Sequence, residues 1–282
     1  MQRHISPELQ VEVSAISIEV INARTAEEKE LCYRIRYDVF VKETGYIQRE
    51  NDNGFEKDEY DELDTTFHFL AYFNGIPAGS ARLLLPNKSV CERKATYYGL
   101  PMESLYDLNY YTSTDLQIAE ISRSCVKEKF KSTKTIFFLW KKLIEFASKG
   151  GITDLITNVN PETDSLSDTY TIYKYARSSN LFDSDIVVYP KKSGGKTTGF
   201  RFPLMQKASG DMEECQARNI ILPQTLKLFV RVGLLFTGEP IYCDGIDMCA
   251  LPMNWKIKDI SKTSFGKFFS NKETGATGEV AA

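Results

Sequence analysis

A few short runs hold most of the side chains able to do acid–base or charge-recognition chemistry in this sequence. They are R-Y-D-V-F with Arg36 and Phe40, Tyr46 soon after, D-E-Y-D with Asp58 and Asp61, A-R-L-L-L-P with Arg82, and A-E-I-S-R with Glu120, Ser122 and Arg123. Glu120 stands out, because an acid inside an otherwise apolar strand is costly without a reason. Desolvation raises the basicity of such a carboxylate, so Glu120 is read as a general base acting directly or through water. Asp58 and Asp61 suit a substrate ammonium, or fix Arg36 and Arg82 by charge-assisted hydrogen bonds. The same acids and arginines also compose an ordinary structural ion-pair network, and both readings stand. Phe40 is by type a core residue as much as the wall of a pocket. Strict strand alternation sets Glu120 and Ser122 on one face and Arg123 on the other. Arg123 therefore joins Glu120 in the catalytic machinery only through a bulge or a strand end, in a positioning role.

Other chemistries lack material. The chain of 282 residues has two histidines, His4 in the N-terminal tail and His68 in a strand-like run, so neither a Ser-His-Asp triad nor a metal site is expected. SGGKT at 193–197 ends like a phosphate-binding loop, but Pro190 stands where the leading glycine belongs. The net charge of −3 and pI near 5.7 give no general pull toward nucleic acid. Cys32, Cys91, Cys125, Cys215, Cys243 and Cys249 show no C-x-x-C spacing, which fits a reducing compartment. MQRHISPELQVEVS has no basic stretch leading into a long apolar run, so no signal peptide or anchor is expected and the protein is placed in the cytoplasm.

The elements that must position these residues follow from periodicity. Residues 16–21 alternate as a strand, and Thr25 with Glu28 marks a capping box that opens a helix with Leu31, Ile35 and Val39 on its buried stripe. Residues 45–64 read as a long polar loop, the kind that carries function. FHFLAYF, Asn74-Gly75 and IPAGSARLLL predict a hairpin on a type I′ turn. Residues 86–115 read as irregular, 116–126 as a strand, 135–149 as an amphipathic helix closed by Gly150-Gly151, 152–159 as a strand and 166–177 as a helix. DIVVYP and TTGFRFPLM are expected to pair as a terminal hairpin around Ser193-Gly194-Gly195. The order is α+β: a mixed, mostly antiparallel central sheet flanked by helices. This divides the chain into a tail (1–15), a domain (16–206), a C-terminal extension (207–260) with Pro223 at a helix start, and a disordered tail (261–282). LKLFVRVGLLF in the extension suits a core-packing helix, with peripheral contact to a membrane surface as the alternative.

The ordered set of motifs over about residues 30 to 130 resembles the acyl-homoserine-lactone synthases, the N-acyl amino acid synthases and the ornithine acyltransferases, all GNAT-type proteins. Arg36, Phe40, Asp58, Asp61, Arg82, Glu120 and Arg123 each fall on a family residue of the same type, whereas Tyr46 stands where the lactone synthases usually have Trp. The resemblance implies an acyltransferase with no permanently bound cofactor. A fatty acyl group would pass from acyl-carrier protein, or from acyl-CoA, to the amino group of an amino-acid-like acceptor held by the named side chains. GNAT enzymes that use acetyl-CoA carry a glycine-rich turn after the central strand to bind pyrophosphate. Here that stretch, KEKFKSTKT, has no glycine. Its Lys127, Lys129, Lys131 and Lys134 instead suit the acidic helix of a carrier protein. A homoserine-lactone synthase, an ornithine-lipid acyltransferase and a non-catalytic acyl-carrier or lipid-binding module are the competing expectations.

Overall fold

The computed structural model describes residues 16–47, 53–191, 222–243 and 248–273. The elements run β1 (Ile18–Ala23), α1 (Ala26–Tyr37), β2 (Thr66–Phe73), β3 (Ile76–Leu84), α2 (Lys88–Lys94), β4 (Tyr106–Asp107), α3 (Asn109–Thr112), β5 (Ile118–Val126), α4 (Thr135–Lys149), β6 (Asp154–Val159), α5 (Leu166–Ser178), β7 (Tyr189–Pro190), α6 (Gln224–Val232), β8 (Leu235–Phe236), β9 (Ile241–Cys243), β10 (Met248–Lys256) and α7 (Ser264–Glu273).

Local signals account for most of these. Thr25 accepts the Glu28 N–H while the Glu28 carboxylate accepts the Thr25 N–H, so the capping box that opens α1 is complete. Asn74 and Gly75 both have positive φ, +48° and +77°, as a type I′ turn between β2 and β3 requires. α4 buries Leu139, Trp140, Leu143 and Ala147 and ends on Gly150. Past α1 the chain continues as a π-helical turn over Asp38–Glu43.

The main sheet has the order β1-β2-β3-β5-β6-β10-β8, antiparallel except for the β5–β6 pair, with β9 alongside β10. One face packs Phe69, Leu83, Ala119 and Ile121 against α4, α6 and α7. The other is covered by α1 and by the segment that follows β3. Alternate positions on this second face carry an unusual load of buried polar groups: His68, Ser80, Arg82, Glu120, Asp154 and Asn254. The described cysteines are free; burial pushes the Cys32 thiol up to about 11 and Cys125 up to about 12.

Three expectations are corrected. The segment read as a C-terminal extension supplies β10, whose Leu251–Lys256 pair with Val159–Asp154 of β6, so it is part of the sheet. Tyr189-Pro190 pairs with Tyr106-Asp107, while the second arm of the expected hairpin, TTGFRFPLM, lies outside the described residues, as do SGGKT and the 1–15 tail. Residues 264–273 form a helix, not a disordered tail, with Phe265 and Phe269 buried against the α4 layer. Residues 86–115, read as irregular, also contain α2 and α3. Among the described residues no helix is long and apolar enough to cross a membrane.

Candidate active site

β3 and β5 place the central residues opposite one another. Arg82 pairs in register with Ser122, and Leu84 with Glu120. The register then slips by one: Ala81 alone lies between Ser80 and Arg82, while Arg123 and Ser124 lie between Ser122 and Cys125. The extra residue lies at Arg123-Ser124, and Arg123 has φ +54°. This bulge turns Arg123 back toward the face that holds Ser122, as its joining the site requires.

The loop before β2 brings acids to the arginines. Arg36 donates from both terminal nitrogens to Asp61, at 2.7 and 3.0 Å, and from Nε to Glu56. Arg82 donates to both oxygens of Asp58, at 2.7 and 3.0 Å, to Asp61 Oδ1 at 2.7 Å, and from Nε to Ser122 Oγ at 3.0 Å. Arg123 donates to Glu56 at 2.9 Å and Asp58 at 3.1 Å. Arg36 and Asp61 are fully buried, whereas the Arg123 and Asp58 side chains keep 30% and 27% exposure. The first pair therefore has no surface left for a ligand, and the second forms the open edge of the network.

Electrostatics separates the carboxylates. Burial opposes ionisation of Asp61, but Arg36 and then Arg82 outweigh it and hold the carboxyl well below its usual range. Asp58 is lowered in the same way, burial being overcome by Arg82 and Arg123. Glu120 goes the other way. It is 3% exposed, its Oε2 accepts the Met102 N–H at 2.8 Å, and burial raises it to about 7 against that bond and the charges of Arg82 and Arg123. The turn that supplies this N–H is itself anchored, because Glu103 accepts the N–H groups of Tyr97, Tyr98 and Leu100. Gly99 in that turn has φ +69°, and a Cβ there would strike the Asn87 carbonyl.

Beyond Glu120 and Ile156 the β5–β6 ladder stops, although both strands continue. The β6-facing edge of β5 thus has no strand partner from Ile121 onward among the described residues. Glu120 sits where this gap opens.

The other expected residues lie around this centre. Phe40 is half-buried in the cluster between α1 and β2. Burial, then the charge of Glu162, raises the Tyr46 phenol to about 12. Glu162 accepts the Thr225 N–H at 2.9 Å at the start of α6. Lys127 pairs with Asp38 at 2.8 Å and Lys131 with Glu128, while Lys129 and Lys134 lie over the rings of Phe130 and Phe268. All four stand in the β5–α4 connection and the last three are exposed.

Sequence reasoning missed three members. Glu56 bridges Arg36 and Arg123, His68 donates from Nε2 to the Asp61 carbonyl at 3.0 Å and is lowered by burial to about 4, and Glu103 shapes the turn at Glu120. Glu56 had a signal, since it stands two residues before Asp58, and both accept from Arg123. His68 is likewise two residues from the core position Leu70.

Residues 35–141 match the acetyltransferase (GNAT) domain family. Over these residues the chain is similar to GNAT acetyltransferases. The match spans every residue of the arginine–carboxylate network and Glu120, while β6 and the elements after it lie beyond the matched residues. The L-ornithine N(alpha)-acyltransferase of Brucella abortus (strain 2308) is 25% identical over 137 residues, covering 46% of this chain and 47% of that protein. The chain thus spans about half the length of the curated relative that it matches. The N-acyl amino acid synthase FeeM, from uncultured soil microbes, shares the GNAT fold with a TM-score of 0.53 and 12% identity, over 90% of this chain and 97% of its own. The CoA-dependent acyl-homoserine lactone synthase BjaI superposes with a TM-score of 0.48 and 16% identity, over 89% of this chain and 90% of its own.

Proposed function

We propose that the protein is an N-acyltransferase that moves a fatty acyl group from acyl-carrier protein to the amino group of an amino acid. The observation that carries this reading is Glu120, a buried carboxylate raised to about 7 at the point where β5 and β6 part, within a GNAT domain. A base poised near neutral pH can take the proton of an ammonium while remaining ionised for part of the time. The freed amine attacks the thioester carbonyl, the C–N bond forms, the C–S bond breaks, and the thiol leaves with a proton.

The unpartnered edge of β5 supports the donor assignment, because the amides of a phosphopantetheine arm can pair with exposed strand backbone. The glycine-free β5–α4 connection lacks the turn that grips a nucleotide pyrophosphate, and its exposed lysines suit an acidic carrier. The partial exposure of Asp58 and Arg123 at the edge of the network supports their meeting the acceptor's ammonium and carboxylate. The sequence likeness to an L-ornithine acyltransferase makes ornithine the first acceptor to try, and Tyr46 in place of Trp argues against a lactone product. Purified protein is incubated with acylated acyl-carrier protein, S-adenosylmethionine and a mixture of amino acids including ornithine, and the products are read by mass spectrometry. An N-acyl amino acid is expected; a homoserine lactone formed from S-adenosylmethionine, or no acyl transfer at all, would reject the assignment.

A further inference from the structure

A cavity of about 540 Å³ opens away from the arginine network, where β5 and β6 begin and β10 ends. That is the size of a small-molecule site. Its walls include Leu116, Ile152, Ile186 and Ile257, and its charged lining includes Asp154. Asp154 is 2% exposed. Its Oδ1 accepts from Asn254 Nδ2 at 2.8 Å, and its Oδ2 meets no donor among the described residues. Lys256 stands directly across the β6–β10 ladder, but its ammonium is held by Asp183 at 3.0 Å and Asp185 at 3.1 Å.

Two further buried atoms in the same cluster lack partners, Asn254 Oδ1 and Tyr111 Oη, on residues that are each 1% exposed. Tyr111 packs in the same buried cluster as Ile118, Ile156 and the wall residue Ile186. A buried carboxylate without a cation is a costly arrangement, and so is each unsatisfied polar atom beside it. The missing complement at Asp154 and Asn254 is a positive charge with several N–H donors, since a carboxylate oxygen and an amide oxygen both accept from a primary ammonium. Among the described residues no His, Cys, Asp and Glu group is arranged to hold a metal ion.

We propose that this cavity is a second binding site, for a primary amine with a short apolar body, which sets its ammonium on Asp154 and its hydrocarbon against the aliphatic wall. The site is independent of the acyl-transfer reading. The full chain is titrated by calorimetry with benzylamine, and with benzyl alcohol, benzoate and potassium chloride for comparison. Benzylamine should bind saturably, the other three about tenfold more weakly or not at all, and Asp154→Asn should weaken benzylamine by about tenfold or more. Because Asp154 is bonded to Asn254 in the interior, Thr114→Trp, at a half-buried wall position, serves as a second variant and should abolish binding by filling the space. It decides the matter if Asp154→Asn does not fold. No saturable binding of benzylamine, equal binding of the alcohol, benzoate or potassium, or binding retained in either folded variant overturns the proposal.

Discussion

Glu120 and Asp61 lie on one network of charges and have been driven in opposite directions. Glu120, lifted by burial from 4.5 to about 7, favours its protonated form in the folded state. Its contribution to stability is therefore full below its unfolded value and is lost as pH rises through 7, a change of about 3 kcal/mol. In the proposed reaction the ionised form is the base, so turnover should rise through the same range. Glu120→Gln should lower kcat by about a hundredfold and abolish that rise, while making the fold more stable than the parent at alkaline pH. Denaturation curves beside pH–rate profiles test both halves, and near-normal turnover would remove Glu120 from the mechanism. Asp61 obeys the reverse sign: its stabilisation is present above its ordinary 3.8 and disappears as pH falls through its depressed folded value. Asp61→Asn should cost about 3–5 kcal/mol at neutral pH, because it leaves Arg36 and Arg82 short of a counter-charge in the interior; a loss below 1 kcal/mol, read from urea midpoints, contradicts this. The residue types at this site were legible because acids and arginines in apolar strands are conspicuous. What those residues bond to was not. Glu56 and Glu103 look like ordinary loop acids until the chain folds them onto arginines and backbone N–H groups.

At the scale of elements, the bulge in β5 joins two faces of one strand. Alternation alone required it, yet nothing local in I-S-R-S-C places the extra residue at Arg123-Ser124; that choice belongs to the pairing with β3. Arg123→Gly should fold at least as well as the parent, since glycine accepts the positive φ freely, but should lose at least about tenfold in kcat/KM with the loss of the guanidinium. Thermal midpoints alongside kinetics separate the two effects, and a folded variant of full activity would restrict Arg123 to a structural role. The hairpin of β2 and β3 and the helices α1 and α4 were readable because turn, cap and stripe are signals within a few residues of one another. Thr25→Ala, by the same logic, should cost about 1 kcal/mol by chemical denaturation and leave kinetics untouched.

The whole molecule depends on a contact that no local pattern reveals. β10 is the antiparallel neighbour of β6 although nearly a hundred residues separate Asn254 from Ile156, its partner in the ladder. Strand propensity says that a segment will pair and is silent about which edge will receive it. A chain ended at residue 206, the boundary that composition suggests, should leave β6 with an open edge and expose the layer of Leu155 and Trp140; it should aggregate instead of folding, as light scattering and circular dichroism would reveal. A monomeric, cooperatively folding fragment would show that β10 is dispensable. The buried thiols give this architecture a clock. With Cys32 near 11 and Cys125 near 12, roughly one molecule in ten thousand or fewer presents a thiolate at neutral pH, and both sulfurs lie beneath packed side chains. Alkylation at these two positions must wait for the sheet to come apart, so the rate at which iodoacetamide marks them, read peptide by peptide, measures the lifetime of the native state before any donor or acceptor is known.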